Sequence, residues 1–199
     1  MADCIVFASG SGSNFEAIAE YLSKTPHMIS ALISDRQDAM VLQRAQRLRI
    51  PAYFVPYDRS RRTLFEETAS GLVLGARADL IILAGFMRIL TSPFVDRFKN
   101  RIVNIHPSLL PRYPGAHAIE QSFSSGDTEL GITIHYVDHG LDSGPIIARR
   151  SFNRHGNESL TEIEGRIHAL EHLFYPEIVR SLLDEIDAER SLARTAMAR

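Results

Sequence analysis

The sequence predicts a doubly wound, mostly parallel α/β sheet with helices on both faces and an antiparallel strand pair near the C-terminus. Three observations predict it. Short β-type apolar runs alternate with helical stripes through the first hundred or so residues. The run at 79–84 (Asp-Leu-Ile-Ile-Leu-Ala) is nearly all apolar, as in a central parallel strand covered on both faces. The segment 132–137 instead alternates Ile132, Ile134 and Tyr136 against Thr133, His135 and Val137. That is the pattern of a half-buried strand, and a second β-type run at 145–152 can pair with it across the 138–144 loop.

The elements follow in order. Residues 4–8 form a first strand, and Ser9-Gly10-Ser11-Gly12-Ser13-Asn14 leads into Phe15, Ala17, Ile18, Tyr21 and Leu22 at helical spacing. Residues 28–34 form a strand, 39–48 a helix with Val41, Leu42, Ala45 and Leu48 on one side, and 52–55 a short strand. The polar segment 58–72 reads as a helix opened by Ser60, with Leu64 and Phe65 toward the core. Thr91 reads as the N-cap of a helix over 91–98, with proline early in its first turn. Ile102–His106 is the next strand, and Pro107 ends its ladder. A helix over 116–125 precedes the C-terminal strands. Residues 160–186 carry an amphipathic stripe in which Pro176 kinks or restarts the helix. The tail, 189–199, has few apolar anchors and is expected to fray.

Composition narrows the possibilities. The 199 residues are 45% hydrophobic and 23% charged, with 22 basic and 24 acidic side chains and a net charge of −2. No overall bias toward nucleic acid or an anionic membrane appears. Cys4 is the only cysteine, so an internal disulfide and a thiolate metal cluster are excluded, and its place in an apolar strand reads as a small buried hydrophobe. With no run of about 18 apolar residues and no signal-peptide pattern, a soluble cytoplasmic protein is expected. No apolar surface in the sequence demands a partner, which leaves monomer or homodimer.

Three residues point to chemistry. Asn104 and His106 are two apart on one strand, so their side chains share a face at its carboxyl end, where open α/β sheets bind ligands. Asp142 lies in the loop between the last two strands. An amide can donate to an oxygen that becomes negative, an imidazole can move a proton near neutrality, and a carboxylate favours the charged imidazole. Together they suit addition of a nucleophile to a carbonyl. Ser13 and Ser108 lack a nucleophile-elbow context, which favours direct transfer or hydrolysis over a covalent enzyme intermediate. Other readings stand beside these. His106 could be a hydrogen-bonded strand-end histidine, and Asp142, between Gly140 and Gly144, a turn residue. His106, His117, His135 and His139 with nearby aspartates could hold a metal, although no metalloprotease spacing appears.

Residues 9–14 read as an anion cradle before a helix N-terminus, or as a tight turn that merely needs glycine. Phe15 stands where a dinucleotide fingerprint has its third glycine, and the Walker A lysine is absent. Arg59, Arg61 and Arg62 cluster at a helix start, where cations are disfavoured. They suggest an outside partner, or simply a solvated surface. In Gly85-Phe86-Met87-Arg88-Ile89-Leu90 the apolar side chains either pack into the core or line a pocket, with core packing weighted slightly higher.

The motifs Ser9-Gly-Ser-Gly-Ser-Asn14, Ala84-Gly-Phe-Met-Arg-Ile-Leu90, Asn104-Ile-His-Pro-Ser-Leu-Leu-Pro111 and Leu141-Asp-Ser-Gly144 carry a resemblance that spans most of the chain. The chain resembles the phosphoribosylglycinamide formyltransferases, within the 10-formyltetrahydrofolate-dependent formyltransferase family, in their one-domain form. Tyr113-Pro-Gly-Ala-His117 is also like that group. The sequence leaves no room for the C-terminal tRNA-binding domain of methionyl-tRNA formyltransferases, and it begins at its first strand, without the N-terminal domain of the hydrolases. The resemblance implies one Rossmann-like domain over 1–199, ribonucleotide-binding in its N-terminal half and folate-binding and catalytic in its C-terminal half. It implies formyl transfer from 10-formyltetrahydrofolate, as co-substrate and without metal, to glycinamide ribonucleotide in purine biosynthesis. The partners are small molecules, not nucleic acid or membrane. Asn104, His106 and Asp142 would be catalytic. Gly12, Ser13, Asn14 and Glu171 would hold the ribonucleotide, although a helical glutamate is more often solvated. Arg62, Met87, Arg88, Ile89, Leu90, Asn104, Asp138, Gly140, Leu141 and Asp142 would hold folate, with the 138–142 loop closing over the pterin. The doubled Arg61-Arg62 departs from the family pattern. A formyltetrahydrofolate hydrolase, a formyltransferase acting on another amine, and a folate- or nucleotide-binding module without chemistry are the alternatives.

Overall fold

The computed structural model describes residues 1–197. The elements run β1 (Asp3–Phe7), α1 (Ser13–Leu22), β2 (Met28–Ser34), α2 (Met40–Leu48), β3 (Ala52–Phe54), α3 (Arg62–Gly75), β4 (Leu80–Leu83), α4 (Ser92–Arg97), β5 (Ile102–His106), α5 (Ala118–Ser124), β6 (Glu129–Tyr136), β7 (Ile146–Asn153) and α6 (Leu160–Met197). The strand order in the seven-stranded sheet is β3-β2-β1-β4-β5-β6-β7. The chain divides into two compact units. One is Met1–Ile89 with the chain from Pro176 onward, and the other is Leu90–Tyr175.

In the first unit β1 pairs in parallel with β2 and β4, and β2 with β3. β1 and β4 are buried along their length because Cys4-Ile5-Val6-Phe7 and Leu80-Ile81-Ile82-Leu83 are apolar on both faces. Burial pushes the Cys4 thiol well above its ordinary range, so it packs as an inert hydrophobe. Phe7, Phe65 and Phe86 form an aromatic cluster with centroid separations of 5.5–6.3 Å. Each such pair adds roughly 0.5–1.5 kcal/mol beyond area burial. α3 starts at Arg62 rather than near Ser60. The Asp58 carboxylate accepts the Ser60 N–H at 2.8 Å and the Ser60 hydroxyl at 2.7 Å, folding 58–61 into a turn before the helix begins.

In the second unit β5, β6 and β7 are antiparallel neighbours, with Asn104 opposite His135 and His106 opposite Thr133. The alternating pattern in β6 suggests a half-buried strand, yet Leu130, Ile132, Thr133, Ile134 and His135 are all buried. β6 is an inner strand, and its polar residues are tolerated there because both are hydrogen-bonded: Thr133 donates to the Ser108 carbonyl at 2.7 Å and accepts from Leu110 N–H at 3.0 Å. Those two bonds hold the Ser108-Leu109-Leu110 turn beside β5. Tyr175, fully buried, donates to the Val103 carbonyl at 3.1 Å and ties α6 to β5. α6 runs as one helix through Pro176, so the restart expected there does not occur. The helix also covers 189–197 of the tail; residues 198 and 199 lie outside the described residues. No helix among the described residues is long and apolar enough to cross a membrane.

Candidate active site

β5 and the two loops near its end build the central cluster, all within the second unit. The alternation of β5 brings Asn104 and His106 to one face, and His106 is only 4% exposed. His106 Nε2 lies 2.7 Å from the Tyr113 carbonyl oxygen, and Nδ1 lies 3.3 Å from Asp142 Oδ2. Both neighbours are acceptors. Nε2 therefore donates to Tyr113, and Nδ1 can donate to Asp142 only when the ring carries its second proton. Asn104 Nδ2 lies 3.2 Å from His135 Nε2, while His135 Nδ1 lies 2.8 Å from the Tyr136 carbonyl. With Nδ1 donating to that carbonyl, Nε2 accepts from Asn104. The amide is thereby oriented, and its second N–H is left to meet an oxygen that gains charge.

Asp142 is held by the same surroundings. Its Oδ2 accepts the Gly115 N–H at 2.7 Å, and its Oδ1 stands 3.6 Å from His135 Nε2, beyond hydrogen-bond reach. Burial works to raise its carboxyl, but the His135 ring, the Gly115 amide and the His106 ring together outweigh it and hold it below the ordinary 3.8. Asp142 has φ of 51°, a left-handed conformation that aims its side chain back at His106. The turn-residue and strand-end-histidine readings are thus incomplete, because these side chains face one another. Among the described residues, no group of three His, Cys, Asp or Glu side chains could hold a metal ion.

The glycine loop belongs to the first unit. Gly12 caps α1 with φ of 77°, and the α1 N-terminus has no side-chain cap, so Ser13 and Asn14 begin the helix with their N–H groups at its positive end. The loop is tied to α2: Val41 N–H donates to the Gly10 carbonyl at 3.2 Å, and Arg44 Nε to the Ser11 carbonyl at 2.8 Å. A Cβ on Gly12 would sit 2.3 Å from Val41 Cγ2 and 2.9 Å from Val41 Cα. Glycine is needed there for packing whatever the loop binds. Gly12→Ala is expected to destabilise the protein by about 2–4 kcal/mol, combining left-handed strain with overpacking against α2. Denaturant unfolding measures this directly.

The 85–90 segment separates into two kinds of residue. Phe86 joins the aromatic cluster, but Met87 is 74% and Ile89 66% exposed, and Leu90 is partly exposed. Core packing therefore holds for Phe86 alone, because Gly85, with φ of 71°, turns the chain outward after β4. Met87 N–H donates to Ser9 Oγ at 2.9 Å and pins the turn. The Arg88 side chain is committed to buried Asp35, with Nε 2.6 Å from Oδ2, and to the Tyr57 ring at 4.7 Å. That contact leaves the backbone about Arg88 at the surface turn. Arg61 pairs with Asp58 at 3.2 Å, whereas Arg62 is exposed with no acidic partner among the described residues.

In the second unit Asp138 accepts from Gly140 N–H at 3.0 Å and from Ser143 Oγ at 2.8 Å, which closes the loop on itself. A Cβ on Gly140 would meet Ser143 Oγ at 2.0 Å, and Leu141 at the tip is 57% exposed. Glu171 is not the solvated helical glutamate that sequence alone favours. It is 5% exposed, with Oε2 3.0 Å from His168 Nδ1, and that hydrogen bond holds the His168 ring above its ordinary 6.5.

Three contributions are not evident from the sequence: the orienting of Asn104 by His135, which residue type alone offers only as a metal ligand, and the backbone groups of Tyr113 and Gly115. The signal for His135 is a polar residue on the same strand face as Thr133. Backbone donors and acceptors carry no residue signature at all.

Comparison with known proteins identifies the family. Residues 2–179 match the formyl transferase family. The chain is 42% identical over 181 residues to the phosphoribosylglycinamide formyltransferase of Bacillus subtilis, covering 89% of this chain and 93% of that protein. It is 37% identical over 184 residues to the trifunctional purine biosynthetic protein adenosine-3 of Drosophila melanogaster, covering 90% of this chain but only 14% of that much longer protein. Among solved structures, glycinamide ribonucleotide transformylase 1 from Geobacillus kaustophilus superposes with a TM-score of 0.87 at 42% identity, over 92% of this chain and 99% of that one. The chain belongs to the formyl transferase family, alongside its phosphoribosylglycinamide formyltransferases.

Proposed function

We propose that the protein transfers the formyl group of 10-formyltetrahydrofolate to the amine of glycinamide ribonucleotide, in the cytoplasm and without a metal. The single observation that carries this reading is the convergence of Asn104, His106 and Asp142 with no protein nucleophile among them. The ribonucleotide amine attacks the formyl carbon, a C–N bond forms, and the carbonyl oxygen becomes an oxyanion. The free N–H of Asn104 donates to that oxygen. His106, held between the Tyr113 carbonyl and Asp142, supports the charged intermediate and takes part in proton transfer. The amine proton leaves and the folate N10 is protonated as its bond to carbon breaks, with Asp142 holding the water that relays between them. The net proton count is unchanged.

The remaining groups supply binding. The N–H groups of Ser13 and Asn14 at the α1 N-terminus receive the ribonucleotide phosphate, with Gly12 setting the turn. Buried Glu171 receives ribonucleotide donors. Exposed Met87, Ile89 and Leu90 form an apolar wall for the pterin, and the backbone about Arg88 reads its edge. In the second unit, Asp138, Gly140 and Leu141 of the 138–142 loop are the further residues that take folate. Arg62, unpaired where Arg61 is not, meets the folate carboxylate tail. Asn14→Ala is expected to raise the Michaelis constant for the ribonucleotide about tenfold and that for folate less than about twofold. Steady-state kinetics with each substrate varied in turn makes the test, and an equal effect on both would reduce the loop to a structural turn. Formate released with no amine present would instead favour hydrolysis.

A further inference from the structure

We propose that Asp127, in the turn between α5 and β6, is a positioning residue that sets the protonation geometry of His106 through the backbone of Tyr113. The inference rests on the role proposed above for His106. Asp127 Oδ2 receives two donors from consecutive residues, Arg112 Nη1 at 2.8 Å and the Tyr113 hydroxyl at 2.8 Å. Tyr113 has φ of 56°, a conformation that a bulky residue holds only when its surroundings impose it. Ser108 Oγ, itself buried, donates to the Arg112 carbonyl at 2.6 Å and lies 3.3 Å from the Tyr113 carbonyl oxygen. The strained peptide is thus held from both sides, and its carbonyl points at His106 Nε2.

Two residues further on, Gly115 N–H donates to Asp142. One short stretch of backbone therefore fixes the proton on Nε2 of the histidine and the position of the carboxylate that faces Nδ1. Asp127 holds the Arg112 and Tyr113 side chains of the stretch, as Asp142 holds its Gly115 amide, and it is 25% exposed and far from the reacting groups in sequence. Without it, the Arg112 and Tyr113 side chains lose their common acceptor and the Tyr113 carbonyl is released from its strained setting. The imidazole can then adopt the other tautomer, with Nδ1 protonated and Nε2 bare.

The test is ring-nitrogen NMR of the ¹⁵N-labelled full chain without ligands, alongside steady-state kinetics. In the wild type, His106 Nε2 gives a protonated signature. Asp127→Ala is expected to give a mixture of tautomers at His106 and to lower kcat about tenfold, with both Michaelis constants within about twofold. Asp127→Asn, whose amide oxygen can still accept from Tyr113, restores the ring signature and most of kcat. A folded Asp127→Ala protein with the wild-type His106 spectrum and kcat would overturn the proposal. If that variant does not fold, Tyr113→Phe, which deletes a single hydroxyl, takes its place, and an unchanged His106 spectrum there is equally decisive. Because the spectrum needs no turnover, absence of transferase activity in the wild type would count against the proposed reaction and leave the positioning role to the NMR result.

Discussion

His106→Ala lowers kcat by about a hundredfold or more and leaves the Michaelis constants of both substrates nearly unchanged. The reason lies in the ring's two neighbours. Tyr113 and Asp142 both offer acceptors, so they hold the ring in one orientation, where it can support the charge of the tetrahedral intermediate. Alanine removes that ring and its hydrogen bond to the Tyr113 carbonyl. The ribonucleotide and folate binding groups are other side chains and other loops, so binding is retained. A loss shared equally between kcat and binding would place His106 among the substrate-holding groups.

Asp142→Asn has a similar cost, about a hundredfold in kcat, by a different route. The amide can still accept from Gly115, so the loop stays in place. Its NH₂ group, however, now faces Nδ1 of His106 and favours the neutral ring. The substitution also has a signature in stability. The folded carboxyl lies below its ordinary 3.8, so the native state binds fewer protons than the unfolded chain in strong acid. Its contribution is fully present above 3.8 and is lost as pH falls through the lowered folded value. The Tm difference between wild type and Asp142→Asn should therefore be constant from neutrality down to mild acid and shrink only in strong acid. A difference that already disappears between pH 5 and 7 would mean that Asp142 is not held ionised.

Much of this was legible in the residues. The continuous apolar runs of β1 and β4 mark buried parallel strands, and the two-residue spacing of Asn104 and His106 places them on one face. The antiparallel pairing of β6 and β7 follows from two β-type runs and a short loop. What was not legible shares a cause. The start of α3 is displaced by the Asp58 turn, a local competition between side chain and backbone. The full burial of β6 depends on which strands flank it, and the burial of Glu171 on what packs over α6. Met87 and Ile89 are exposed because a left-handed glycine turns the chain, and apolar composition alone points the other way. In the cluster, the contributions of Tyr113 and Gly115 are backbone groups, and that of His135 depends on strand register.

The most direct measurement is the absorbance change of 10-formyltetrahydrofolate with the purified protein, recorded with and without glycinamide ribonucleotide. The proposed mechanism predicts folate turnover only when the ribonucleotide is present, with one formyl group appearing on its amine for each folate consumed. Turnover at the same rate without the ribonucleotide, with formate as product, would contradict it.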